Sequence, residues 1–348
     1  MIKPKPKNQD GKLLSQSLNE GATLVFCALK EREIGALLCC GKLIRVFASG
    51  DGLSLGTVAL AKVSEIREDL GSCFLLLKNK QKCYMPLSEF RGETPKCGMT
   101  LPVRIKKEPA KGKLATATLN LGEGEADLKE LAKTRTEFSI LKAGEDYRQK
   151  ALHYAGEFTS TNHLSLRILC EKEEDRTEIS KYMALNTTES AKSDPDLSVS
   201  CETYHDSMVS LPVLFGLTGK LDEALSKHVW LKSGAEIVIE PTEAMTVIDV
   251  NSAKSSHKSD SEETFLAINE EAAEEILHQI LLRNLSGIIL IDFINLKGDI
   301  KRENFINFFR EKARNYDPDF QVLGLTKLGI MECSRRKSGR TLKEEFGL

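Results

Sequence analysis

Two short apolar runs each end in acid: VIDVNS (Val247–Ser252) and LIDFIN (Leu290–Asn295). Each reads as a strand with an aspartate near its C-terminal end, Asp249 in the first and Asp292 in the second. An ionised carboxylate in such a run is costly to bury unless something cationic pairs with it. Side chains alternate along a strand, so Asn251 shares the face of Asp249. Two carboxylates and a carboxamide are hard oxygen donors, a set that suits Mg²⁺, with Mn²⁺ as an alternative, and not zinc. On the residues alone a second reading stays open: a structural cap, or a buried ion pair with a lysine such as Lys254.

Positioning those acids needs a crossover. Residues 262–283 have Phe265, Ile268, Ala272, Ile276 and Ile280 at helical spacing. Ser259 and Glu262 form a capping-box pattern, and Gly287 follows the helix end. Strand, long helix, strand is a parallel βαβ unit. If its strands are neighbours, they lie about 4.8 Å apart. Asp249 and Asp292 then converge at one sheet edge, where open parallel sheets place their ligands.

The rest of the chain bounds the reading. A length of 348 residues implies two or three domains, and 41% hydrophobic residues suffice for ordinary cores. The formal net charge of -2 favours no partner class, so contact with nucleic acid must rest on local basic clusters. Nine cysteines form no CxxC pair, which points to buried, reduced thiols. No apolar run approaches membrane-spanning length, so a soluble, cytoplasmic protein without membrane association is expected. No glycine-rich phosphate loop follows any strand, which argues against a nucleotide-binding regulatory domain.

In chain order, residues 1–20 are a polar tail. Strands are expected at 23–29 and 34–48, with a turn at Cys39–Lys42. Short β-rich runs at 56–66, 72–78, 82–86, 100–107 and 113–119 fit a five-stranded OB-type barrel. Tyr84 and Phe74 beside Arg104, Lys106, Lys107, Lys111 and Lys113 could hold single-stranded nucleic acid by stacking and charge. Phe74 taken alone reads more simply as core, whereas Tyr84 with the lysines stays open between a stacking platform and a solvated surface. Residues 121–210 say least: helical patterns at 125–155 and 173–184, then a polar stretch from Leu185 to Ser210. From Pro212 come a short helix at Gly219–Lys227 and strands at 228–231, 236–240 and 244–251. The sole tryptophan, Trp230, reads as core rather than as a stacking platform, and His257 reads as a loop residue rather than a general base. A second helix, Asp299–Asn315, turns Phe305, Phe308 and Phe309 inward, and Gln321–Thr326 is a further strand. Lys327, Arg335, Arg336, Lys337 and Arg340 form a basic cluster that either holds flanking phosphates or is a solvated turn.

The runs VWLKSGAEIVIEPTEAMTVIDVNS, NEEAAEEILHQILLRNLSGIILIDFINL and QVLGLTKLGIMECSRRKSGRTL together resemble the catalytic core of the ribonuclease E/G family, from about Leu214 to Leu342. The GTV…F…YMPL pattern and the closing KGKLATAT look like that family's S1-type barrel. The resemblance implies an α/β fold (α+β overall): an RNase H-like/DNase I-like mixed-sheet catalytic core with an inserted OB-type, S1-like barrel. Residues 1–54 would open the RNase H-like part, 55–118 form the barrel, 119–210 a reduced linker or sensor-like region, and 211–348 the remainder with the DNase I-like domain. It also implies a Mg²⁺-dependent endoribonuclease that cuts single-stranded, AU-rich RNA and leaves 5′-phosphate and 3′-hydroxyl ends. The family's metal ligands fall on Asp249 and Asp292, and its phosphate- or water-orienting asparagine on Asn251. Its base-contacting aromatic falls on Tyr84, and a phosphate-contacting lysine on Lys111. Phe74, Lys106, Lys113, Lys327, Arg335 and Arg336 complete the expected RNA contacts. The chain looks like a short form. It has no RTAG-like 5′-sensor run and no CPxC zinc-link, and Asn295 stands where the family often has an acid. Zinc and a zinc-linked tetramer are therefore not expected, while a homodimer is left open. The alternative is an RNA-binding protein of the same fold with little or no cleavage.

Overall fold

The computed structural model describes residues 21–50, 54–92, 94–109, 113–186, 198–206, 208–252, 262–337 and 339–348. The chain divides into two compact units. One draws on Met1–Phe47 and Ala155–Leu348, the other is Ala48–Tyr154.

The chain opens with an antiparallel meander, β1 (Ala22–Leu29), β2 (Arg32–Cys39) and β3 (Lys42–Ala48). Almost every residue of β1 is buried, which is why its sequence, ATLVFCAL, is apolar without alternation. The second unit follows as β4 (Val58–Arg67), β5 (Ser72–Leu76), β6 (Lys82–Pro86), β7 (Thr100–Lys107) and β8 (Ala115–Thr118). These close into a five-stranded barrel through the β4–β5 and β4–β7 pairings, with β6 and β8 parallel. Its core is the inward set Cys73, Leu75, Cys83, Met85, Leu101, Val103, Ile105, Ala115 and Ala117. The period-2 alternation in β5, β6 and β7 produces that set directly. Two further elements belong to this unit: α1 (Glu125–Thr134), and β9 (Ile140–Lys142), which adds to the barrel along β4.

After α2 (Tyr147–Asn162) the chain returns to the first sheet. β10 (Leu166–Cys170) lies parallel to β1, and after α3 (Glu173–Asn186), β11 (Val199–Thr203) lies parallel to β10. The first sheet thus runs β11-β10-β1-β2-β3. The 119–210 stretch, expected as a reduced linker or sensor-like region, supplies α1 and β9 to the barrel unit and two strands to this sheet. Its polar strand β11 carried too weak an alternation to be read from sequence.

Two short helices, α4 (Leu211–Leu214) and α5 (Leu217–Leu225), lead into the second sheet. Its strands are β12 (His228–Trp230), β13 (Glu236–Pro241), β14 (Met245–Asn251), β15 (Gly287–Asp292), β16 (Phe320–Leu325) and β17 (Met331–Arg335), in the order β12-β13-β14-β15-β17-β16. Helix α6 (Glu262–Arg283) crosses from β14 to β15, and α7 (Asp299–Tyr316) from β15 to β16; α8 (Leu342–Phe346) closes the chain. Ile248 and Val250 of β14, with Ile289 and Ile291 of β15, pack under α6 and α7 against Ile276, Phe305 and Phe309. The opposite face of this sheet keeps Val247 and Ile288 exposed. Helix α6 is buried on its other side as well. His278 meets the Leu43 carbonyl through Nε2 at 2.8 Å, and Arg45 donates from Nη1 to the Leu281 carbonyl at 2.9 Å. That double burial explains the apolar length of α6.

Candidate active site

The register of the central strands decides where the acids go. β14 and β15 are parallel neighbours, and Asp249 is the direct partner of Asp292. Residues paired in a ladder present their side chains to the same face, with backbones about 4.8 Å apart. That face is the one away from α6, because the alternating neighbours Ile248, Val250 and Ile291 fill the core beneath. Asn251 stands two residues on and donates from Nδ2 to Asp249 Oδ2 at 2.9 Å. The donation fixes its carboxamide and leaves Oδ1 as the outward lone-pair donor. Among the described residues neither aspartate has a lysine, arginine or histidine ion-pair partner. Lys254, Ser259 and His257 lie outside the described residues.

Among the described residues no three His, Cys, Asp or Glu side chains gather as a metal-binding group. The donor set is therefore two carboxylates in register with one carboxamide beside them. This fits a Mg²⁺-type ion, which takes one or two carboxylates and fills its remaining positions with water and substrate phosphate.

A buried amide holds this edge in place. Asn269 of α6 is fully buried; its Nδ2 donates to the Ile294 carbonyl at 2.8 Å, and its Oδ1 accepts from the Ile294 amide at 3.0 Å. The two bonds clamp the backbone two residues beyond Asp292. Glu262 secures the same loop, accepting from the Lys297 amide at 3.1 Å and pairing with Lys301 at 2.7 Å. Asn269 went unremarked in the sequence, although a carboxamide on the buried stripe of Phe265, Ala272 and Ile276 was a legible signal.

The basic residues divide. Lys327 is exposed in the turn from β16 to β17, at the sheet end that carries Asp292, since Met331 pairs with Ile291. Arg335 and Arg336 sit at the other end, where Arg335 pairs with Gly287. Five residues of strand, roughly 16 Å, separate that end from Asp292. Arg335 is only 6% exposed and belongs to the interior. Its guanidinium meets Asp317 at 2.6 Å, Asn284 Oδ1 at 2.8 Å and the Leu285 carbonyl at 3.0 Å. It ties the return from α6 into β15, where Asn284 takes a left-handed φ of 52°. Arg336 pairs with Asp319 at 2.6 Å. The expected phosphate contact at Arg335 is corrected accordingly, its guanidinium being consumed by the fold, while Arg336 stays exposed, paired with Asp319 and at the sheet end remote from the acids. β17 itself was not foreseen, because MECSR mixes acid, base and hydroxyl; only the inward alternation of Met331, Cys333 and Arg335 marks it.

On the barrel unit, Phe74 and Tyr84 are direct partners on adjacent strands. Both are half-buried and point away from the core, so the simpler reading of Phe74 as core does not hold. The same row runs Glu65, Phe74, Tyr84, Thr116, Lys107. Lys106 occupies the bulge beside Lys107, and both, like Lys113, are exposed. Lys111 lies outside the described residues. Lys107, named in the basic stretch but not among the expected RNA contacts, is the lysine that shares the aromatic row.

Trp230 departs most from expectation. It is 67% exposed, on the same open face of the second sheet as Asp249.

Fold and site define an α/β protein with an inserted OB-type barrel and a register-matched pair of acids on an open sheet face. The comparisons with known proteins name the group: the model of the Ribonuclease E/G family matches residues 113–338, well over half of the chain, and the chain belongs to that family. Ribonuclease E of Synechocystis sp. is 41% identical over 143 residues, covering 41% of this chain and 21% of that protein. Ribonuclease E of Escherichia coli is 35% identical over 150 residues, covering 43% and 14%. Ribonuclease G of Haemophilus influenzae is 36% identical over 149 residues, covering 43% and 30%. The chain thus aligns with less than a third of the length of each. No helix among the described residues is long and apolar enough to cross a membrane.

Proposed function

We propose that this protein is an endoribonuclease that hydrolyses single-stranded, AU-rich RNA in a Mg²⁺-dependent reaction, leaving 5′-phosphate and 3′-hydroxyl ends, in cytoplasmic RNA processing or decay. Family membership supports the reaction class, and one observation carries the site: Asp249 and Asp292 are ladder partners on an open face with no cationic partner among the described residues. Asp249 and Asp292 would hold the ion. When bound there, a divalent ion would supply charge neutralisation at the phosphate and activation of the attacking water. Mn²⁺ has the same donor preferences. Asn251, anchored on Asp249, presents Oδ1 to orient the attacking water or the scissile phosphate. Asn269 and Glu262 keep the loop after Asp292 from drifting. Lys327, at the same sheet end, offers charge to a flanking phosphate. Phe74 and Tyr84 would stack bases on the barrel, with Lys106, Lys107 and Lys113 beside them.

The test is cleavage of a labelled AU-rich oligonucleotide. With Mg²⁺ the protein cuts; with EDTA cutting stops. Asp249→Asn with Asp292→Asn slows it by about 10³-fold, the loss expected when several kcal/mol of transition-state stabilisation disappear. Cleavage that survives either treatment rules the site out. Tight binding with no cleavage selects instead an RNA-binding protein of this fold, the reading that Asn295 favours by leaving the site short of a third acid.

A further inference from the structure

We propose that Trp230 is a stacking platform for an unpaired base of the RNA, seating the strand beside Asp249, Asn251 and Asp292. The proposal rests on the reading above that RNA occupies this face.

Tryptophan is highly buried on average in folded chains, whereas Trp230 is 67% exposed beside the acids. In HVWL the alternation puts Val229 and Leu231 inward and His228 and Trp230 outward. Trp230 pairs with Glu236, and Glu236 pairs with Asn251. The indole therefore stands two strands from Asn251, roughly 10 Å between backbones. A nucleotide adjacent to a phosphate held at the acids reaches that far.

The charges along the row select what lies on the ring. Glu236, between Trp230 and Asn251, is held by His228 Nδ1 at 2.6 Å. A carboxylate in that position repels a phosphate and tolerates an uncharged ring. The face next to Trp230 thus takes a base, with the backbone running on the side of the acids. Glu236 also accepts hydrogen bonds, so a ring edge bearing N–H groups is the better match. A second copy of the chain fits this face less well. A two-fold contact uses the same patch on both copies, so it would gather the outward acids Glu236, Asp249 and Asp292 of both in one interface.

The sole indole of the chain is also the probe. In an Asp249→Asn, Asp292→Asn background, titration with a single-stranded oligonucleotide quenches tryptophan emission. Replacing one base next to the cleavage position by an abasic unit removes most of that quench. In the otherwise native chain, Trp230→Ala raises KM about tenfold, the loss of one stacked base, with kcat at saturation little changed. Trp230→Phe recovers most of the affinity, because a phenyl ring still stacks. Emission that ignores RNA, or a Trp230→Ala enzyme with unaltered KM, overturns the proposal while native cleavage stands. So does emission that changes with protein concentration alone, coupled with loss of an oligomer in Trp230→Ala; that result assigns the face to a second copy. Absence of Mg²⁺-dependent cleavage by the native chain is the separate failure of the ribonuclease reading.

Discussion

The second sheet and the barrel treat charge in opposite ways. Around the sheet, cations are spent on structure: Arg335 on Asp317, Arg336 on Asp319, Lys301 on Glu262 and Lys312 on Glu274. On the central strands of its open face stand Asp249 and Asp292 without a cationic partner among the described residues, with exposed Lys327 at the same sheet end. On the barrel, the outward row runs from Glu65 through two aromatics and Thr116 to Lys107, and among the described residues Lys106, Lys107 and Lys113 have no acidic partner. An acidic face repels RNA until a divalent ion is present, whereas an aromatic and basic face attracts it unaided. Under the proposed function the barrel contributes affinity alone, while the sheet contributes rate through its acids and some affinity through Trp230. Family membership alone does not separate the two.

The comparison breaks most visibly at Arg335. If its cation is structural, Arg335→Ala strands Asp317 and removes the tie at Asn284, costing about 3–5 kcal/mol in denaturant unfolding. Arg336→Ala, at an exposed pair, costs less than about 1 kcal/mol. Equal and small losses, with weakened RNA binding in both, would return these arginines to the RNA surface. A smaller effect sharpens the barrel side. Phe74→Ala and Tyr84→Ala each weaken RNA affinity by about 1–3 kcal/mol and leave kcat at saturation unchanged. A fall in kcat with affinity intact would reverse the roles given to the two regions. The smallest effect is in the salt dependence of binding. Removing Lys107 or Lys106 flattens the plot of log affinity against log salt by about 0.7 for each phosphate no longer neutralised. An unchanged slope would mean that these lysines are a solvated face.

Much of this architecture was legible in the chain. The expected barrel runs fall on β4 to β8 within a few residues, because β5, β6 and β7 alternate over a one-sided core and turns separate all five runs. The bounds of α6 are those expected, 262–283, and the parallel pairing of β14 with β15 follows from so long a crossover. What failed to show were elements whose pattern is set by neighbours. β11 is polar because it lies at a sheet edge, and β17 carries an arginine inward because Asp317 and Asn284 wait there for it. Asn269 showed as a carboxamide on an apolar helix stripe, but what it clamps, the Ile294 backbone, came into view only with the fold.

Sequence alone determined that two acids end apolar strands joined by one long helix, and that Asn251 shares a face with the first. Those are consequences of the periods of strand and helix, which every chain obeys locally. Tertiary structure alone decided that Trp230 faces water and Arg335 faces the core, the reverse of what their residue types suggest. A period-2 pattern says which side chains share a face. Which face is covered depends on the helices packed against the sheet, and α6 and α7 cover one side only.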